Sequence, residues 1–146
     1  MLQSNGANTK IVDSVEEVDK AAVRKLIWVS IMWLLCHDNC DSPLTVAQVH
    51  TDRPQDVHNL VEELTPVTKN LLSSFNFARN DVDVGTVDEM VDYLQSYSNS
   101  IPHAVVNKML SIDEFAKRNG MLLKMSMPQP NHRSLVERVV GYIPDY

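Results

Sequence analysis

Cys36, His37, Cys40 and Asp41 are the densest group of metal-type side chains in the chain, with His50 and His58 further along. Zinc chemistry asks for thiolates and imidazoles at short spacing, because four donors must converge on one tetrahedral centre. The Cys-x3-Cys spacing permits that, but His50 and His58 stand too far apart for the usual close histidine pair, and there is no paired CxxC motif. Cys36 also ends an apolar run, where a thiol packs as a small hydrophobe. No metal site and no cofactor is expected.

Anion binding is the next chemistry to weigh. Lys117, Arg118, Lys124, His132, Arg133 and Arg138 gather in the C-terminal part and form the best candidate surface for an anion or a nucleic acid. Lys117 and Arg118 stand just before Gly120, where basic side chains also complement a helix C-terminus. A helix-turn-helix frame fits Ala47, Val57 and Leu60, but Thr51 occupies the turn position that prefers glycine. The would-be recognition helix carries Asp56, Glu62 and Glu63. Phosphate contacts need Lys and Arg, so two core helices joined by a short turn is the better reading.

Signals for catalysis are thin. Asp81, Asp83 and Asp88 do not follow the calcium-loop spacing. There is no nucleophile elbow, no P-loop and no dinucleotide-binding glycine pattern. A non-enzymatic protein is expected.

Aromatic side chains point to protein contacts instead. Trp28 and Trp33 are five residues apart and leave a helix on different sides, so one of them departs from the main stripe. Tyr93 and Tyr97 lie one helical turn apart. Aromatics are enriched at interface hot spots, and these four are the candidate partner-binding residues.

The elements that must position these groups read as all-α. Ser14, Thr86 and Ser111 each stand three residues before a glutamate, Glu17, Glu89 and Glu114. That is the capping-box spacing. Asn131 opens a further segment. Helix one spans about 14–37 and is apolar nearly all round from Leu26 to Cys36, which predicts a helix surrounded by others. Ser42-Pro43 opens a short helix to about His50. Val57, Leu60, Val61 and Leu64 make the next helical stripe, and Thr65-Pro66 is expected to break or kink it. The pattern resumes to about Phe77. Thr86 starts a helix with Met90, Val91, Leu94 and Tyr97 on one face. Pro102 starts a short one carrying Val105, Val106, Met109 and Leu110, and the Ser111 helix stops at Gly120. Met121 to Met127 reads as a strand or an extended connector, and a last helix runs from Asn131 to Gly141. The expected fold is a compact irregular bundle of six to eight helices around helix one. Residues 1–10 would be a disordered tail and 11–146 a single helical domain.

Composition bounds the rest. The chain has 146 residues, a net charge of −6 and only four glycines, with a sequence pI of about 5.2. Scarce glycine argues against a turn-rich sandwich. Net acidity disfavours non-specific nucleic-acid binding. The charge is uneven: residues 1–100 carry 7 Lys/Arg against 15 Asp/Glu, and residues 101–146 carry 6 against 4. In such a dipolar chain the acidic end can meet the basic end of a neighbour, which favours head-to-tail self-association. The apolar run from Leu26 to Cys36 is eleven residues, and a span needs about twenty, so no membrane partner is expected. Two cysteines without a disulfide framework and a polar N-terminus suggest a reducing, cytoplasmic setting. The functional expectation is a binding or assembly protein that associates with itself, in the style of a viral or phage accessory protein. Nucleic-acid binding through the basic C-terminal helices is the alternative, and a small metal protein or enzyme is third.

Overall fold

The computed structural model describes residues 15–38, 41–76 and 81–144. Among them lie seven α-helices and no strand: α1 (Val15–His37), α2 (Val46–Asp52), α3 (Pro54–Ser74), α4 (Val87–Ser100), α5 (Lys108–Asp113), α6 (Asn119–Leu123) and α7 (Pro130–Val140). A single 3-10 turn, Phe115–Lys117, joins α5 to α6. Ser14, Phe77 and Cys40 lie outside the described residues.

α1 is the hub. Ile31, Met32, Trp33, Leu34, Leu35 and Cys36 are consecutive and each fully buried. Six buried positions in a row cover every side of a helix, so α1 must be enclosed there, and α2, α3, α4, α5 and α7 all pack on it. Toward its N-terminus the enclosure opens. Val23 and Ile27 face inward, while Val15 and Val18 are 64% and 55% exposed.

α3 buries Val57, Leu60, Val61, Leu64, Val67 and Leu71 on one stripe. It runs unbroken through Pro66, against the expected break. Pro66 and Glu62, one turn before it, are both exposed, so the carbonyl that loses its N–H partner lies on the watered side. The Thr65 hydroxyl also donates to the Val61 carbonyl at 2.6 Å. α4 starts at the predicted capping box: Thr86 Oγ1 accepts from the Glu89 N–H and Glu89 accepts from the Thr86 N–H. α2 has the same device at Thr45 and Gln48, so it starts later than the expected Ser42-Pro43 cap.

The loop before α4 is part of the core. Val82 and Val84 are buried while Asp81, Asp83 and Gly85 face out, a period of two in extended chain. Gly85 has φ +85°, and a Cβ there would fall 2.9 Å from Glu89 Oε1.

Four expectations in the last third are corrected. Pro102 sits in a turn, and α5 begins later, capped by Asn107, whose Oδ1 accepts from the Leu110 N–H. Ser111 therefore lies inside α5, buried, with its hydroxyl unpartnered rather than capping. Val105, Met109 and Leu110 are 42%, 69% and 52% exposed. Gly120 does not stop a helix; it lies within α6, which carries the chain on to Leu123 where a strand or an extended connector was expected. α7 ends as predicted, with Gly141 at φ +93°.

Candidate functional site

Trp33, expected at a partner contact, is fully enclosed and offers a partner nothing. Its indole N–H donates to Asn119 Oδ1 at 2.8 Å. Asn119 Nδ2 in turn meets the Ser30 carbonyl at 3.1 Å and His132 Nε2 at 2.9 Å. His132 Nδ1 meets Gln129 Oε1 at 2.8 Å, and Gln129 Nε2 donates to the Leu122 carbonyl. The chain of bonds has one consistent direction. The Leu122 carbonyl needs a donor, which turns Gln129 Oε1 toward His132; Nδ1 then carries the hydrogen and Nε2 accepts from Asn119. Every member of this buried network is satisfied, and it fastens α6 and α7 to the middle of α1.

His132 was expected on a basic surface and is instead fully buried. Burial, and secondarily the charge of Arg133, push its pKa down to about 3, so it is neutral. The remaining basic residues do not form one patch. Arg118 pairs with Glu114. Arg138 turns to Asp38 at 3.1 Å, beside Arg53, which meets the same carboxylate at 2.8 Å. Burial alone would raise the pKa of Asp38, but Arg138 and Arg53 outweigh it and hold the carboxyl below its usual value. That triad ties the end of α1 to the starts of α3 and the body of α7. Lys117, Lys124 and Arg133 are exposed, and of these Lys117 lines a cleft with Arg118.

The metal-type residues are likewise dispersed. Cys36 is buried, and His37 Nε2 lies 2.8 Å from the Val106 carbonyl, to which it donates. His58 lies 3.6 Å from Asp88. Among the described residues no three His, Cys, Asp or Glu side chains converge to hold a metal ion. α3, the would-be recognition helix, packs on α1, α2, α4, α6 and α7, and its water-facing side carries Glu62 and Pro66 rather than basic residues. No helix among the described residues is long and apolar enough to cross a membrane.

Trp28, Tyr93 and Tyr97 do come together. The Trp28 indole N–H donates to Ser98 Oγ at 2.9 Å, and Ser98 Oγ shares a second bond with His50 Nε2 at 2.9 Å. Burial lowers the His50 pKa. A serine beside an imidazole has the makings of a nucleophile, but Ser98 is fully buried, so the pair serves to orient Trp28. Trp28 packs edge-on against Tyr97, with centroids 4.8 Å apart and planes at 83°. One turn along α4, Tyr93 carries the Arg24 guanidinium 4.1 Å from its ring centroid.

These residues wall a cleft of about 360 Å³ on one side of the outer face of α1, with Ala21, Lys25 and Val29 as its floor. A second cleft of about 550 Å³ lies on the other side of the same face. There Ala22, Leu26 and Val29 meet Leu71, Leu72, Phe75 and Met121, rimmed by Lys25, Lys117 and Arg118. Phe75, at the end of α3, is 51% exposed. The outer face of α1 is thus an apolar ridge between two largely apolar furrows with basic edges. Sequence reasoning found the aromatics here but missed Ser98, His50 and Arg24, whose partners lie 48 to 70 residues away. No protein-family model matches the chain, and neither a curated protein nor a solved structure shows significant similarity to it.

Proposed function

We propose that the protein is a non-enzymatic assembly protein that acts through protein–protein contacts along the outer face of α1, with other copies of itself as its partner. The observation that carries this reading is the pair of furrows flanking Ala21, Ala22, Lys25 and Val29. A helix face with exposed apolar side chains on a ridge, and aromatic walls beside it, matches the composition of an interface core. The ordered Trp28, held by Ser98 and packed on Tyr97, is the kind of rigid aromatic anchor that dominates binding energy. Grooves of this kind receive amphipathic helices, whose apolar residues recur at i, i+3, i+4 and i+7.

The uneven charge supports self-association over a foreign partner, since a basic-edged groove and an acidic surface sit on the same molecule. Binding of nucleic acid through the C-terminal helices draws less support, because His132 is buried and Arg118 and Arg138 are already paired. Light scattering across a wide concentration range tests the reading. A mass that rises with concentration, and falls back on Trp28→Ala, is expected. A strict monomer throughout contradicts self-assembly.

A further inference from the structure

The less buried positions of α1 ahead of Ser30 have their own pattern: Val18, Ala21 and Lys25 are exposed, and Ala22, Trp28 and Val29 are half-buried. Val18, Ala21, Ala22, Lys25, Trp28 and Val29 recur at i, i+3, i+4, i+7, i+10 and i+11. That is the spacing of a helix-to-helix seam, and it lies on the side of α1 opposite Val23, Ile27 and Ile31, which face the core. The half-turn around Ala21 and Ala22 has the smallest side chains of the stripe. Small residues let helix axes approach to the low end of the packing range, about 8 Å.

Charge along the same helix is polarised. Glu16 and Glu17 occupy the first turn, and Arg24 and Lys25 follow two turns on. Glu17 has a local partner in Lys20 at 3.3 Å. Arg24 stacks on Tyr93, and its Nε is enclosed without a hydrogen-bond acceptor. Among the described residues, neither Arg24 nor Lys25 has a carboxylate partner.

We infer that two copies pair through α1 in antiparallel, two-fold fashion, crossing at Ala21. This rests on the self-assembly reading above and specifies its geometry. A two-fold crossing at residue 21 places Glu17 of each copy beside Arg24 and Lys25 of the other, since those positions stand about 5 to 6 Å on opposite sides of the crossing. The carboxylate then meets the two cations that lack one. Val18 of each copy slides toward the furrow walled by Trp28 and Tyr97 of the other. A parallel, in-register pair would instead set Glu17 against Glu17 and Lys25 against Lys25, which repels. The contact is isologous, so it closes at two copies.

Sedimentation equilibrium on the full chain tests this, with circular dichroism confirming that each variant is folded. Glu17, Ala21 and Lys25 are exposed and Arg24 is half-buried against Tyr93, outside the core, so folding is expected to survive. Wild type is expected to dimerise, and Ala21→Arg to be monomeric because a long side chain wedges the crossing. Glu17→Lys alone, and Arg24→Glu with Lys25→Glu, should each weaken the dimer on the order of tenfold, given modest values per exposed ion pair counted twice by symmetry. Combining all three substitutions should recover affinity, since the charges are exchanged across the crossing. A dimer indifferent to Ala21→Arg overturns the α1 pairing but leaves self-assembly standing. Loss of affinity in both charge variants without recovery in the combination overturns the antiparallel arrangement. A strict monomer overturns the self-assembly reading itself and leaves the furrows to another occupant.

Discussion

Replacing Asn119 with leucine tests the polar network at the centre of the bundle. The two side chains are close in shape, so the change removes hydrogen bonds with little change in volume. Asn119 serves Trp33 Nε1, His132 Nε2 and the Ser30 carbonyl. The Ser30 carbonyl keeps its place in the α1 helix, whereas the indole N–H and the imidazole nitrogen are left without partners in a site closed to water. Each orphaned buried group costs about 1–3 kcal/mol, so the expected loss from two is about 2–6 kcal/mol. A domain of this size has about 5–15 kcal/mol in all, so the variant should sit close to unfolding at room temperature. Urea titration followed by tryptophan emission measures it: the midpoint should fall with the slope unchanged. A double-mutant cycle sharpens the attribution. In a Trp33→Phe background one of the two orphaned groups is already gone, so Asn119→Leu should cost less there, by about 1–3 kcal/mol. A loss below about 1 kcal/mol in the wild-type background would refute the claim that this network holds α6 and α7 to α1.

Two further predictions concern pH and capping. His132 is neutral in the folded chain with a pKa of about 3, and takes up a proton near 6.5 when unfolded. Stability is therefore full above pH 6.5 and falls by about 1.4 kcal/mol per pH unit toward pH 3. Burial moves His50 in the same direction, and Asp38 adds a loss as pH drops from 3.8 through its lowered folded value. Urea midpoints at pH 7, 5 and 4 check this, and a flat profile contradicts it. Glu63 caps α7 from a neighbouring helix, its carboxylate accepting from the N–H groups of Asn131 at 3.1 Å and His132 at 2.8 Å. Glu63→Gln should cost about 1 kcal/mol and speed hydrogen exchange at those two amides, with unchanged exchange as the contrary result.

Local signals were legible where one segment decided its own outcome. Thr86 and Glu89 need only each other, and Gly141 needs only its own backbone freedom, so both were readable from spacing. Signals failed where a distant residue took over the role. Asn131 is no cap; Pro130 opens α7, and Glu63 satisfies the helix from 68 residues away. Ser111 had capping-box spacing but Asn107, an equally good cap, starts the helix one turn earlier. Gly120 stands beside Asn119, which Trp33 and His132 hold in place, and this outweighs the preference of glycine for helix ends. His132 and Arg138 looked like two members of one basic face. They lie on different sides of α7, one inward to the network and one toward Asp38, and nothing short of the fold separates them.

The same helix explains both the stability and the proposed activity. An apolar run needs neighbours on every side, and the chain supplies five helices to enclose Ile31 through Cys36. Its first half is buried on the Val23–Ile27 side, while Tyr93 and Leu71 cover only its flanks at Arg24 and Leu26. Burial of apolar area gains about 25 cal/mol per Å², so leaving the ridge and both furrows open forgoes stability that the isolated chain does not recover. Exposed apolar faces of this kind on soluble chains mark contact sites. Trp28 makes the distinction concrete. Trp33 finds its hydrogen-bond partner in the centre and vanishes from the surface. Trp28 finds Ser98 instead, which holds its ring upright against Tyr97 at the wall of an open furrow. On the proposed reading this bracing favours binding, because a fixed rotamer lowers the entropy lost when a partner docks.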